Sequence, residues 1–334
     1  PDDGNEDDFS VIRVALPEVV RPGMAVELEI DFSAQLPWII ARTGYVDDFH
    51  LIGQWFPKVG VFEGERGWNC HQFHASGEFF ADFGSYRVAM NVPQDWVLGA
   101  TGSEIERTQL GEQQRIVHRA ERLHDFAWCA APSTLMEVVE ADFDPGRDVP
   151  LQWLEQARGL LGLSAADLEL PPIKLRLMVP RAQQALTERM LNAARLGVAW
   201  YGLYYGPYPY PALTVVAPPP QADEAGGMEY PTFVTTRAKA LLAYPPFSWS
   251  ADIEVVTVHE IGHQYFQGLV ASNEFEQGWL DEGTNTYAEF SCMTAIAEQG
   301  LVPEIRRYVP YWAQARLAIT WPSLPITIDR PAWT

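Results

Sequence analysis

Between residues 25 and 32, Val26, Leu28, Ile30 and Phe32 alternate with Glu27, Glu29 and Asp31. A period of two predicts a strand with one face on a core and one in water. Tyr86, Val88, Met90 and Val92 repeat the pattern against Ser85, Arg87, Ala89 and Asn91. The stretch 105–117 predicts two strands about a turn at Gly111, and 135–143 and 173–179 predict two more. A helical interval, 151–161, lies between the last two. Residues 1–180 therefore read as a mostly antiparallel β domain behind a charged lead-in at 1–8.

After Pro180 the period lengthens. Ala185, Met190, Ala193, Ala194, Leu196 and Trp200 fit a helix that ends before Gly206. A short buried strand follows at 213–217, then a Pro-rich loop to Ala225. The pair Gly226-Gly227 opens a strand that runs to Thr236. A second helix starts near Asp252, a suitable N-cap, and a third covers 280–298. No internal repeat breaks this order. Trp200, Tyr201, Tyr204, Tyr205, Tyr208 and Tyr210 cluster around the Pro-rich turn. Core packing and the lining of a substrate cleft both fit that cluster.

Composition narrows the function classes. A chain of 334 residues, 47% of them hydrophobic, is globular and long enough for two domains. A net charge of −21 argues against nucleic acid and anionic membranes as partners. No apolar run approaches the ~20 residues of a membrane span, and no signal peptide is expected in this chain. Three cysteines, Cys70, Cys129 and Cys292, rule out a disulfide framework. The ends, Pro1 without Met and Thr334 without a terminating element, suggest a segment of a longer polypeptide.

The chemistry concentrates at 254–289. His259 and His263 stand four apart, which on a helix puts both imidazoles on one face. With Glu260 they form H-E-x-x-H, in which two histidines bind zinc and the glutamate acts as general base. Eighteen residues after His263 comes Glu282, in Trp279-Leu-Asp-Glu282-Gly, a plausible third ligand. Two histidines and one glutamate leave a fourth zinc position open, as hydrolysis requires. The short motif alone occurs by chance, so the weight rests on the joint pattern. Glu289, seven residues beyond Glu282, shares its helical face. It could orient a ligand histidine or simply face solvent.

These motifs resemble those of the aminopeptidase N-like zinc metallopeptidases, a gluzincin group. Gly226-Gly-Met-Glu229-Tyr230 is similar to the family's Gly-x-Met-Glu-Asn, and His259-Glu260-Ile-Gly-His263-Gln-Tyr-Phe to its H-E-x-x-H-Q-W-F. Trp279-Leu-Asp-Glu282-Gly is similar to its W-L-N-E-G. Weaker similarity touches Trp55-Phe-Pro57, 81–93 and 205–211. The resemblance implies an α+β, multidomain fold. An antiparallel β-sandwich or saddle domain at 1–180 would precede a thermolysin-like metallopeptidase domain at 181–334, truncated at its C-terminal end. It implies one zinc per chain, held by His259, His263 and Glu282, with Glu260 as base. Gly226, Gly227, Met228 and Glu229 would bind the substrate, Glu229 by its free amino group. Two departures stand out. Tyr230 replaces the motif's Asn, and the family's oxyanion-side Tyr would fall beyond Thr334, after Tyr287, Tyr308 and Tyr311. Asp48 is a candidate for a second amine contact, or an ordinary loop residue.

The implied activity is removal of N-terminal residues from peptides. A zinc endopeptidase or other amide hydrolase is the alternative among enzymes. A non-catalytic scaffold that keeps the fold is the alternative outside them.

Overall fold

The computed structural model describes residues 5–40, 42–74 and 79–300. Its strands are β1 (Gly44–Val46), β2 (Phe49–Ile52), β3 (Val61–Phe62), β4 (Trp68–Asn69), β5 (Gly84–Pro93), β6 (Trp96–Ala100), β7 (Ser103–Leu110), β8 (Gln113–Leu123), β9 (Trp128–Pro132), β10 (Met136–Phe143), β11 (Ile173–Pro180), β12 (Ala212–Val216) and β13 (Phe233–Thr235). Its helices are α1 (Pro145–Asp148), α2 (Leu151–Leu161), α3 (Thr187–Tyr205), α4 (Asp252–Gly262) and α5 (Glu282–Glu298). Short 3-10 turns join several of them.

The strands form two antiparallel sheets, β5-β8-β7 and β1-β2-β9-β6, a β3-β4 ribbon, and a sheet ordered β10-β11-β12-β13. In that last sheet β10 runs antiparallel to β11, while β11, β12 and β13 are parallel. Three apolar clusters bind the layers. Met90, Leu98, Ile116 and Phe126 join the two antiparallel sheets. Phe49, Leu51 and Cys129 meet Met178, Val216 and Phe233 of the mixed sheet. On the mixed sheet's other face, Leu175, Leu177 and Val215 carry the helices through Met190, Tyr201, Val258, Ile261, Cys292 and Ile296. The result is a mixed α and β fold with antiparallel sheets ahead of the helical layer.

Most of the periodic segments fold as expected: β5, β7, β8, β10, β11 and α2 lie where alternation or helical spacing puts them. The stretch 25–32 does not. It has no strand assignment, and Val26, Leu28, Ile30 and Phe32 are about half exposed. Alternation marks one apolar face, but a strand also needs a neighbour for its N–H and C=O groups. No described residue supplies that ladder.

Other expectations meet a different local structure. Residues 226–236 are not one strand. Met228 pairs antiparallel with Thr235, and Phe233 N–H donates to the Tyr230 carbonyl, so the chain folds back around 230–233. Asp252 is the first residue of α4 rather than its cap. Ala251 holds the cap position, and Asp252 N–H donates to Ser250 Oγ. Asp252 and Glu254 still place negative charge in the first turn, where the helix dipole favours it. Pro180 is the last residue of β11, which pairs with β10 before it and β12 after it. The expected division at 180/181 therefore falls inside one hydrogen-bonded sheet.

Candidate functional site

Helix α4 presents the two histidines because its other face is anchored. Ile253, Val258 and Ile261 are buried in the helical core. Arg189 of α3 clamps the first turn, donating to both Glu254 carboxylate oxygens at 2.9 and 2.7 Å and to the Ser250 carbonyl at 2.8 Å. His263 sits at the C-cap with helical φ/ψ, its N–H donating to the His259 carbonyl. The four-residue spacing therefore holds to the end of the helix.

Helix α5 brings the carboxylates. Glu282 opens it, and Glu289 lies two turns on, on the same face. Glu282 Oε2 is 3.3 Å from His259 Nε2 and 3.5 Å from His263 Nε2, and the two Nε2 atoms are 3.1 Å apart. Behind them, His259 Nδ1 donates to Glu289 Oε2 at 3.1 Å. Asp281 Oδ1 makes an ion-pair contact with His263 Nδ1 at 2.6 Å. A carboxylate only accepts, so each imidazole keeps its proton on Nδ1 and turns its Nε2 lone pair inward.

Three acceptors then face one point, an arrangement that a cation stabilises. Tetrahedral zinc at its usual bond lengths would set such atoms about 3.3 Å apart, so the residues fit that ion. Among the described residues, His259, His263 and Glu282 form the one group of three or more potential ligands gathered closely enough to hold a metal.

The titration behaviour has the same cause. Burial opposes it, yet Glu282 and Glu289 push His259 up to about 10. Burial likewise opposes the rise at His263, which Asp281 and Glu282 hold well above the usual histidine range. Hydrogen bonds from the two histidines hold Glu282 well below the carboxylate range. Burial lifts Glu260 to about 7, with the imidazoles acting against the rise. A carboxyl poised near neutrality suits proton transfer in both directions.

The glycine pair meets this site. Gly227 has φ +86°, and a Cβ there would stand 3.5 Å from Glu260 Oε1, so its backbone runs beside that carboxylate. Met228 is buried, and Glu229 is partly exposed just before the turn. A small cleft adjoins Glu229, lined also by Arg42, Gln54, Lys58, Asp125 and Tyr230. Lys58 bridges Asp125 at 2.7 Å. Tyr230 is buried, and its hydroxyl donates to the Arg42 carbonyl at 2.8 Å. The hydroxyl lies where a Cβ on Gly53 would be, so Gly53 makes room for it.

Other candidates fall elsewhere. Asp48 sits exposed in the β1–β2 turn and does not line this cleft. Tyr287 is 72% exposed on α5, and Tyr308 and Tyr311 lie outside the described residues. Of the aromatic cluster, Trp200, Tyr201 and Tyr208 belong to the core, with Tyr201 stacked on Tyr265 and Tyr208 tilted against it. Sequence reasoning missed Asp281 and Gln264, which touch the motif residues directly. Their position beside Glu282 and His263 was the available signal.

Residues 191–319 match the Peptidase family M1 domain. Aminopeptidase M1-B of Oryza sativa subsp. japonica is 32% identical over 130 residues, 37% of this chain and 14% of that protein. Aminopeptidase N of Homo sapiens is 40% identical over 92 residues, 27% of this chain and 9% of that protein. A solved M1 zinc metallopeptidase from Deinococcus radiodurans aligns at a TM-score of 0.44 and 20% identity, covering 73% of this chain and 47% of that one. The chain thus spans a small part of the curated relatives that it matches. The match over residues 191–319 agrees with the motif resemblance to the aminopeptidase N-like zinc metallopeptidases, a gluzincin group.

Proposed function

We propose that this chain carries the catalytic centre of a zinc aminopeptidase that removes N-terminal residues from peptides. The observation that carries the proposal is the convergence of His259 Nε2, His263 Nε2 and Glu282 Oε2 on one point, with Glu260 and the Gly227 backbone beside it. His259, His263 and Glu282 would hold one zinc per chain. When bound, zinc supplies Lewis acidity that polarises the scissile carbonyl and acidifies water.

Glu260 takes the proton of the attacking water and returns it to the leaving amine. Gly226, Gly227 and Met228 offer main chain to the substrate, and the missing side chain at Gly227 leaves room for it. Glu229 holds the substrate's ammonium and so stops the peptide at its first residue. Within this reading the chain divides into an N-terminal β part and a thermolysin-like part. The expected parts are 1–180 and 181–334; the sheet β10-β11-β12-β13, which runs across 180/181, supports a join nearer β10.

The Glu229 contact tests the aminopeptidase reading. Losing a charge-assisted hydrogen bond costs about 1.5–3 kcal/mol, or one to two decades. In the full-length enzyme, Glu229→Ala should lower kcat/KM for free-amino peptides by that factor and leave N-acetylated peptides unaffected. Equal cleavage of free and N-acetylated peptides by the wild type would replace the aminopeptidase with an endopeptidase. A protein that takes up no zinc would leave the non-catalytic scaffold.

A further inference from the structure

Gln264 directly follows His263 and is 1% exposed. It is too far round the helix end to join the metal ligands, and its side chain points at main chain instead. Its Oε1 accepts from Thr232 N–H at 2.7 Å, and its Nε2 donates to the carbonyls of Glu229 and Tyr230, both at 3.2 Å. One side chain thus closes on three peptide groups of the turn that begins at Glu229.

That turn needs fixing. Thr232 sits at φ +57°, a conformation that β-branched residues rarely adopt. Besides its Phe233-to-Tyr230 bond, the turn is tied to β12, where Thr214 N–H donates to the Thr232 carbonyl at 2.9 Å, and to the β part. Thr232 Oγ1 accepts from Gly102 N–H at 2.7 Å, and the Tyr230 hydroxyl reaches Arg42. Gln264 supplies the tie from α4. Buried amide bonds of this kind are costly to leave unmade, so the turn and the helix end are held in one register.

We propose that Gln264 is a positioning residue that sets the distance from the metal site to the Glu229 carboxylate, and thereby the single-residue reach of the enzyme. This rests on the aminopeptidase reading above. Gln264 reaches the turn through main-chain groups, the Thr232 N–H and the Glu229 and Tyr230 carbonyls. Misplacing a binding group by a fraction of an ångström is enough to lose much of its effect.

The test compares Gln264→Met with Gln264→Glu in the full-length, zinc-loaded enzyme. Methionine keeps the volume and removes all three bonds. Glutamate keeps the acceptor for Thr232 N–H and loses both donors. Zinc content and Tm are measured beside kcat and KM for a free-amino peptide and its N-acetylated form.

The preference for the free amine should fall by about tenfold or more in Gln264→Met, mainly through KM, and by less in Gln264→Glu. Zinc content should stay at the wild-type level in both. Unchanged preference in a zinc-loaded Gln264→Met protein overturns the proposal. Loss of zinc in Gln264→Glu also overturns it, because the residue would then be supporting the metal helix. A wild type without any preference for free amines overturns the aminopeptidase reading itself, before the variants are compared.

Discussion

Two pairs of buried histidines sit in the two halves of this molecule and behave in opposite ways. His118 and His124, in and after β8, are 2% and 8% exposed. Burial pushes both down to about 4, although His118 Nδ1 faces the Thr101 carbonyl and His124 lies near Asp125. His259 and His263 are also buried for the most part, yet carboxylates push them up. The environment behind the ring makes the difference. In the sheet core burial outweighs the pull of Glu104 on His118 and of Asp125 on His124, so the imidazole stays neutral. The α4–α5 pair puts a carboxylate behind each ring and a third in front, so positive charge is favoured between them. Burial alone does not mark a ligand; convergent carboxylates do.

The largest expected effect removes the base and leaves both histidines. Glu260→Gln in the full-length enzyme should cut peptide hydrolysis by about 10²–10⁴-fold with zinc content unchanged. Unaltered turnover would take Glu260 out of the reaction.

Acid should separate the two halves next. In the folded protein burial holds His118 and His124 at about 4, below the ordinary histidine value of about 6.5. Below that pH the unfolded chain binds their protons first, so stability is full above pH about 6.5 and falls as pH drops towards 4. The ceiling is about 3 kcal/mol for each histidine. Urea midpoints at pH 7 and pH 4.5 measure it, and His118→Leu should lose its share of the difference. An identical difference in wild type and variant would show that His118 is not the source.

The smallest effect is on the backing groups. Glu289→Gln and Asp281→Asn should each weaken zinc about 10–100-fold in chelator competition, because they loosen ring orientation and basicity. His118→Leu should leave zinc affinity alone. Equal affinities across all of these would refute the contrast drawn between the pairs.

What was legible in the sequence was local. Alternation located β5, β7 and β8, and helical spacing located α2 and α3, because those periods follow from backbone geometry within one segment. The His259–His263 pair was legible for the same reason: a helix turn fixes it. Glu289 was visible as a helical neighbour of Glu282 that could orient a ligand histidine, and packing decided that the histidine is His259. The stretch 25–32 has the pattern of a strand and remains without a ladder, since pairing depends on residues distant in the chain. Tyr230 looked like a departure from a motif, and only packing revealed its bond to Arg42 across 188 positions.

The sequence by itself determined the helix that aligns two imidazoles and the periods of β5, β8 and α3. Tertiary structure decided that α5 would bring Glu282 and Asp281 to those imidazoles, that 226–236 would fold back, and that Gln264 would hold the turn. The first set depends on contacts within a few residues, which composition and spacing encode directly. The second depends on how layers stack through the apolar clusters on both faces of the mixed sheet. Such contacts span tens of residues, and no local period carries them.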